Sequence, residues 1–140
     1  MSACLKKISA LLPSVLYYAL IYGLSAQPNI RIGLDIPFLD KILHTVLYTG
    51  FGFCLSYSAA RFDRKAAAPR FIVLLLLGAV LGGLDEFHQS FVPGRNAEWG
   101  DAVVDVLGVL LGGLAFRRLG RTVFGKTRLR LYPSTDDDEA

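Results

Sequence analysis

Apolar residues in this chain fall into four long blocks, separated by short polar or charged segments. The blocks run from Ile8 to Ala26, from about Pro37 to Ala60, from Phe71 to Phe91 and from Trp99 to Leu119. Each has about 19–24 residues, enough for a helix rising about 1.5 Å per residue to cross a hydrocarbon core of about 30 Å. The pattern predicts an all-α integral membrane bundle of four transmembrane helices.

Composition and charge agree with this class. The hydrophobic fraction is 53%, the charged fraction is 19% and the mean hydropathy is +0.44. A soluble domain of 140 residues usually carries more charge. The formal net charge is +3, but the basic residues lie in short clusters between the apolar blocks. This arrangement is typical of membrane topology, so we expect a lipid bilayer, and no nucleic acid, as a partner.

Basic residues flank the blocks unevenly. The only basic residue in the loop at 27–36 is Arg31, and the only one in the loop at 92–98 is Arg95. Lys41 lies just inside the second block. The positive-inside rule then places both termini in the cytoplasm and these two loops outside, in a multi-pass protein of the cytoplasmic membrane. The basic residues on the cytoplasmic side are Lys6, Lys7, Arg61, Arg64, Lys65, Arg70, Arg117, Arg118, Arg121, Lys126, Arg128 and Arg130.

The two ends of the chain carry further expectations. The first block and its end at Leu24-Ser25-Ala26 also resemble a secretory signal, but a cleavage site prefers a small residue where Leu24 stands. Cleavage there would leave the other three spans on the same sides. The acidic end, from Tyr132 onward, is predicted to be disordered. The domain prediction is a four-helix membrane domain over residues 1–131, followed by a disordered acidic tail over residues 132–140.

Ionisable side chains interrupt the apolar pattern between Asp85 and Asp105. Residues 85–95 read Asp-Glu-Phe-His-Gln-Ser-Phe-Val-Pro-Gly-Arg, and Asp101 follows. Charged side chains inside membrane segments are costly and are a functional-site hypothesis by default. Counting at the helical rise puts His44, Asp85 and Asp105 about 9–10 Å below the outer face. Three helices would therefore place polar groups in one layer.

Spacings of three or four residues put the polar residues of each helix on one face. Such faces turned towards lipid would have to solvate several charges there, so we expect them to point into the bundle. Glu86 points about 100° away from Asp85 and could reach a different helix. The residues on the inward faces are Asp40, His44 and Tyr48 in the second block, Asp85, His88 and Gln89 in the third, and Asp101 and Asp105 in the fourth.

Carboxylates and imidazoles in one layer could bind a divalent metal ion or act as general acids and bases. They could equally form a polar network that fixes helix register. Arg95 could hold a phosphate or carboxylate with two hydrogen bonds, or form a salt bridge to Glu98 or Glu86. Lys41 is interpreted as an ion pair with Asp40 at the start of its helix. The metal-ligand candidates are His44, Asp85, His88 and Asp105.

Three parts of the chain resemble the VanZ-like family of small bacterial membrane proteins. The resemblance covers residues 8–119 and departs from many members at Asp105, where they carry Asn. It implies a bacterial inner-membrane location, and the founding member of the family is associated with resistance to teicoplanin. The matching parts are Asp40-Lys41-x-x-His44-x-x-x-Tyr48, Asp85-Glu86-x-His88-Gln89-x-Phe91-x-Pro93-x-Arg95 and Asp101-x-x-x-Asp105-x-x-Gly108-x-x-x-Gly112.

The sequence is compatible with three functions. In the first, an outward-facing site binds or processes an anionic envelope substrate, such as a lipid-linked or cell-wall precursor, in a role like glycopeptide resistance. In the second, a non-catalytic assembly protein uses the polar network only to hold its helices together. In the third, a transporter couples to protons or cations. Between the Asp85 layer and the basic residues at the cytoplasmic ends, spans two to four carry no ionisable side chain except Tyr48, Tyr57 and Cys54, which argues against a relay.

Under the first function, the candidate residues divide into two roles. Acid–base or metal-assisted work needs groups that gain and lose protons or hold an ion. Substrate binding needs groups that contact the anion or shape its pocket. The catalytic candidates are Asp85, Glu86, His88, Asp101 and Asp105, and the substrate-binding candidates are Arg95, Gln89, Asp40, Lys41 and His44.

Overall fold

The computed structural model describes residues 3–28, 38–62, 68–95 and 97–123. They form four α-helices, and each helix coincides with one of the predicted apolar blocks. The all-α prediction is thereby confirmed. The helices are α1 (Ala3–Ser25), α2 (Leu39–Phe62), α3 (Ala68–Gln89) and α4 (Trp99–Val123).

Three of these helices are long and apolar enough to cross a membrane. The qualifying segments are Ile8–Ser25 in α1, Phe71–Gln89 in α3 and Trp99–Leu119 in α4. The protein is therefore a multi-pass membrane protein. The helix α2 is as long as the others but carries Asp40, Lys41 and several hydroxyl groups, which lower its hydropathy. That α2 also crosses the membrane, and that both termini are cytoplasmic, stay predictions.

The bundle is apolar on the outside and polar at several inner positions. Large aliphatic side chains such as Val15, Ile72 and Leu76 are exposed, whereas Asp85 is only 2% exposed and Asp105 is fully buried. Lipid is as apolar as a protein core, so exposed aliphatic side chains cost little there. The spacing argument for inward polar faces agrees with this arrangement except at Asp40, which was expected to point into the bundle and is exposed.

Close backbone contact joins α2 to α4. A Cβ atom on Gly52 would collide with the backbone of Val109, and one on Gly112 would collide with the carbonyl oxygen of Thr49. Small residues let two helix backbones approach in this way. The contact fixes the register of the two helices and so determines which side chains meet near their N-terminal ends.

A tight turn follows α3 and positions Arg95. The backbone N–H of Arg95 donates to the carbonyl of Val92 over 3.1 Å, and Gly94 has a φ of 78°. Proline at the second position and a positive φ at the third are the marks of a type II turn, here Pro93 and Gly94. Only glycine adopts that backbone conformation without strain.

Some predictions concern residues outside the described ranges. These are most of the loop at 27–36, much of the loop at 61–70, the basic residues beyond position 123 and the acidic tail at 132–140.

Candidate functional site

Six polar side chains from three helices are buried together at the end of the bundle where α2 and α4 begin and α3 ends. We call them the polar cluster. Their burial means that each charge must find a partner within the protein or remain uncompensated. The polar cluster consists of His44 from α2, Asp85, Glu86 and Gln89 from α3, and Asp101 and Asp105 from α4.

A histidine–carboxylate pair joins α2 to α4 inside the cluster. His44 Nδ1 lies 3.0 Å from Asp105 Oδ1. An ionised carboxylate can only accept, so with Asp105 ionised Nδ1 carries the hydrogen and Nε2 keeps the lone pair in the neutral ring. The imidazole also lies parallel to the ring of Tyr48, with 6.4 Å between their centroids. Asp105 therefore fixes both the tautomer and the direction of His44.

Glu86 connects three parts of the site. Its Oε2 accepts a hydrogen bond from the backbone N–H of Glu98 over 2.9 Å, just before α4 begins. Its Oε1 lies 3.9 Å from His44 Nδ1. The side chain therefore spans from α3 towards both α2 and α4, as its offset from the face of Asp85 allowed.

Arg95 reaches the cluster through an amide. Gln89 Nε2 donates to Asp85 Oδ2 over 3.2 Å, and Arg95 Nε donates to Gln89 Oε1 over 3.1 Å. Within the described residues, the two terminal amino groups of Arg95 have no hydrogen-bond partner. The partner of Arg95 is thus neither Glu98 nor Glu86, the two acids considered from the sequence.

Lys41 pairs with α4. Its Nζ lies 2.7 Å from Asp101 Oδ1 and 2.9 Å from Glu98 Oε2. The interpretation of Lys41 as a partner of Asp40 was wrong, because adjacent residues on a helix point about 100° apart. Asp40 is exposed beside this pair. Asp101 is therefore neutralised by an ammonium group as well as standing in the first turn of α4.

His88 faces α1 and forms no ion pair with an acid among the described residues. Its ring stacks on that of Tyr22 with 4.3 Å between centroids, and its Nδ1 is 3.4 Å from the Tyr22 hydroxyl. Its Nε2 is buried and has no hydrogen-bond partner within the described residues. Tyr22 was not among the candidate residues named from the sequence, so this neighbour of the site was missed.

A polar stripe on α1 was the signal that could have revealed it. Ser14, Tyr18 and Tyr22 follow one another at intervals of four and therefore lie on one helix face. Each contacts another helix through its hydroxyl. The partners are Ser58 Oγ at 2.6 Å, the carbonyl oxygen of Leu81 at 3.1 Å and His88 Nδ1 at 3.4 Å, respectively.

The cluster holds more negative than positive groups. Asp85 Oδ1 and Asp105 Oδ2 are buried and have no hydrogen-bond partner among the described residues. Two sets of ligand atoms in the described residues lie close enough to hold a metal ion, each set within 4.8 Å. Neither set contains His88 or Asp105, which the sequence proposed as ligands. The sets are His44, Asp85 and Glu86, and Asp40, His44 and Asp101.

Comparison with known families gives one result. The family model VanZ/LLP1 matches residues 4–121, which include all four helices except the ends of α1 and α4. The match contains every residue of the polar cluster, Lys41 and Arg95. No curated protein and no solved structure matches the chain.

Proposed function

Because the chain belongs to the VanZ/LLP1 family, we propose that it acts at the bacterial cell envelope and binds, or processes, an anionic envelope substrate. The polar cluster and Arg95 form the site, which faces the outer side of the cytoplasmic membrane. The distribution of Lys and Arg along the sequence supports this orientation. The substrate class is a lipid-linked or cell-wall precursor with a phosphate or carboxylate group, and the role resembles glycopeptide resistance.

The observation that carries the proposal is the hydrogen bonding of the Arg95 guanidinium. The guanidinium is held through Nε by Gln89, while its two terminal amino groups have no partner among the described residues. A planar guanidinium of this kind matches the two oxygens of a phosphate or carboxylate. The type II turn at Pro93 and Gly94 restricts its position before a ligand arrives. An anion would therefore meet a preorganised donor.

The contacts also rank the proposed substrate-binding residues. The charge of Lys41 is already compensated by Asp101 and Glu98, so it adds little positive potential for an anion. Gln89 acts by holding Arg95. Asp40 and His44 contribute the shape and polarity of the site more than attraction for an anion. Arg95 is therefore the residue whose loss should weaken substrate binding most.

Replacing Arg95 tests the proposal. In a bacterial host that gains teicoplanin resistance from this protein, Arg95→Ala should return the inhibitory concentration of teicoplanin to that of cells lacking the protein. Arg95→Lys should also lose most of the effect, because an ammonium group cannot make the two-point contact. Immunoblots of membranes should show unchanged protein levels for both variants.

The control removes an arginine at the opposite end of the bundle. Arg61 is exposed near the end of α2 and contacts Tyr57. Arg61→Ala should keep both the resistance and the protein level. A loss of protein level in Arg95→Ala equal to its loss of resistance would contradict the proposal, as would full resistance in that variant.

A non-catalytic assembly role is the second candidate, and the links between helices favour it. His44 with Asp105 and Lys41 with Asp101 both join α2 to α4. This role predicts that Asp85→Asn remains fully functional, because an amide still accepts the hydrogen bond from Gln89. The substrate-site proposal predicts that the same variant reaches the membrane in normal amounts and loses resistance. The teicoplanin assay with the immunoblot separates the two functions.

A further inference from the structure

We propose that His44, Asp85 and Glu86 form a binding site for one divalent transition-metal ion, and that this ion is zinc. The ion site follows from the geometry of the cluster and is independent of any substrate. Its role in holding an anionic group rests on the proposed function.

The three ligand groups come from two helices and converge on one point. One nitrogen of His44 and one carboxylate oxygen each of Asp85 and Glu86 lie within 4.8 Å of one another, and all three residues are buried. A zinc ion binds such nitrogen and oxygen atoms at about 2.0–2.2 Å. Atoms separated by up to about twice that length can share one ion after small side-chain movements.

Unpartnered oxygens give a second, independent indication. Asp85 is 2% exposed, and its Oδ1 has no hydrogen-bond partner among the described residues, although its Oδ2 accepts from Gln89. A buried acceptor left without a partner loses its hydration without compensation, and the cost is larger when the acceptor is charged. Buried charges in proteins are paired or coordinate metal ions. A cation beside Asp85 would remove this penalty.

The charges around the site also do not balance. Asp85, Glu86 and Asp105 bring three carboxylates together with a single imidazole, that of His44. Lys41 does not compensate them, because it pairs with Asp101 and Glu98. A divalent ion would neutralise most of the excess. Protonation of the carboxylates is the competing explanation, and the experiment below distinguishes it.

Asp105 has the position of a residue that orients a metal-binding histidine. Histidine ligands usually donate their second ring N–H to a carboxylate, which fixes the ring and raises its basicity. The contact between His44 Nδ1 and Asp105 Oδ1 at 3.0 Å fits this role. Nδ1 is also the ring nitrogen that lies 3.9 Å from Glu86 Oε1, so binding of an ion through Nε2 requires the side chains of the site to move. Asp105 is therefore assigned as a positioning residue, in place of the ligand role that its sequence position suggested.

The kind of ion follows from the ligands. Imidazole with carboxylates suits zinc and similar transition metals, whereas calcium and magnesium prefer oxygen atoms alone. The alternative set with Asp40 and Asp101 is less suited, because Asp101 is already bound by Lys41 and Asp40 is exposed. An ion held by three protein ligands would also leave an open coordination position for an oxygen of an anionic group that Arg95 contacts.

Metal content of the purified full chain tests the site. Tag-free protein in detergent is stripped with a chelator and then titrated with Zn²⁺ by calorimetry, and bound zinc is measured after desalting. We expect about one zinc ion per chain. Asp85→Asn and Glu86→Gln should each weaken binding at least about tenfold, and Asp105→Asn should weaken it by about 10–100-fold. Asp40→Asn is the matched control and should bind zinc like the unchanged chain.

The outcomes separate the explanations. A folded, unchanged chain that binds no zinc overturns the proposal and favours protonated carboxylates, and so does zinc binding that Asp40→Asn removes and Asp85→Asn spares. If the variants do not fold, the absorption spectrum of the Co²⁺-loaded unchanged chain decides: bands of nitrogen–oxygen coordination support the site, and the spectrum of free aqueous Co²⁺ overturns it. Zinc binding without any effect of Arg95→Ala on resistance would leave the metal site standing and reject the proposed substrate function alone.

Discussion

The helices α2 and α4 are held together by different interactions in the two halves of the bundle. In the half that contains the polar cluster, Lys41 pairs with Asp101 and His44 pairs with Asp105. In the other half, the backbones touch at Gly112, and the rings of Phe53 and Phe116 meet edge to face at 5.2 Å.

The comparison indicates that the buried charges are not needed merely to join the helices. Glycine contacts and aromatic packing already hold the same two helices together in the other half, without the cost of burying a charge. Replacing buried ion pairs by apolar residues is often neutral or stabilising. The carboxylates of Asp85 and Glu86, which no lysine or arginine neutralises among the described residues, therefore fit a role in binding better than a role in assembly.

The glycine contact should have the largest effect on stability. A Cβ on Gly112 would collide with the carbonyl oxygen of Thr49 and lie 2.6 Å from the amide nitrogen of Phe53, and neither backbone atom can move aside cheaply. We expect Gly112→Ala to lower the free energy of unfolding by about 3 kcal/mol or more. Unfolding in mixed detergent micelles measures the change.

Gly83 provides the control for this prediction. A Cβ there would meet nothing within 4 Å, and the position lies inside α3. Gly83→Ala should leave the free energy of unfolding unchanged or raise it by up to about 1 kcal/mol, through helix propensity. If Gly112→Ala were as stable as Gly83→Ala, the close approach of α2 and α4 would be wrong.

The ion pair between Lys41 and Asp101, in the half that contains the polar cluster, should have an intermediate effect on stability. Lys41→Met leaves Asp101 buried without its ammonium partner, while the side chain of Lys41 is itself 31% exposed. We expect a loss in the free energy of unfolding that is smaller than that of Gly112→Ala and larger than that of Ser14→Ala. Adding Asp101→Asn should recover part of it, so that the double-mutant cycle shows a coupling energy between the two residues. Additive single effects would show that the pair does not contribute to holding the helices.

Much of the fold could be predicted because, in a membrane protein, the length of an apolar run indicates whether it forms a spanning helix. An apolar run such as that around Val80 or Leu110 is stable in lipid as a helix, because a helix makes all of its backbone hydrogen bonds internally. The hydropathy of α2 was harder to interpret, since its polar residues Lys41 and His44 pair with acids of α4. Sequence alone does not state which helix covers which face.

The candidate site, like the fold, could be predicted only in part. Spacings of three and four residues correctly placed His44 and Asp105 inside the bundle, because these spacings are set by the helix itself. The partners of Lys41 and Arg95 depend on how the helices dock and on the turn at Gly94, and these were predicted wrongly or left open. Tyr22 was missed because an aromatic residue near a helix end is common in any membrane protein.

The smallest effect is expected from a polar contact in the half without the cluster. Ser14 and Ser58 share a hydrogen bond of 2.6 Å between α1 and α2. Hydrogen bonds between membrane helices contribute about 0.6 kcal/mol on average, so Ser14→Ala should cost about that much. Ser14→Ala with Ser58→Ala should cost little more, because no hydroxyl is then left alone. Teicoplanin resistance should be unchanged in both variants. A loss of resistance at unchanged protein level would contradict the comparison, since it would extend function into the half that we assign to packing alone.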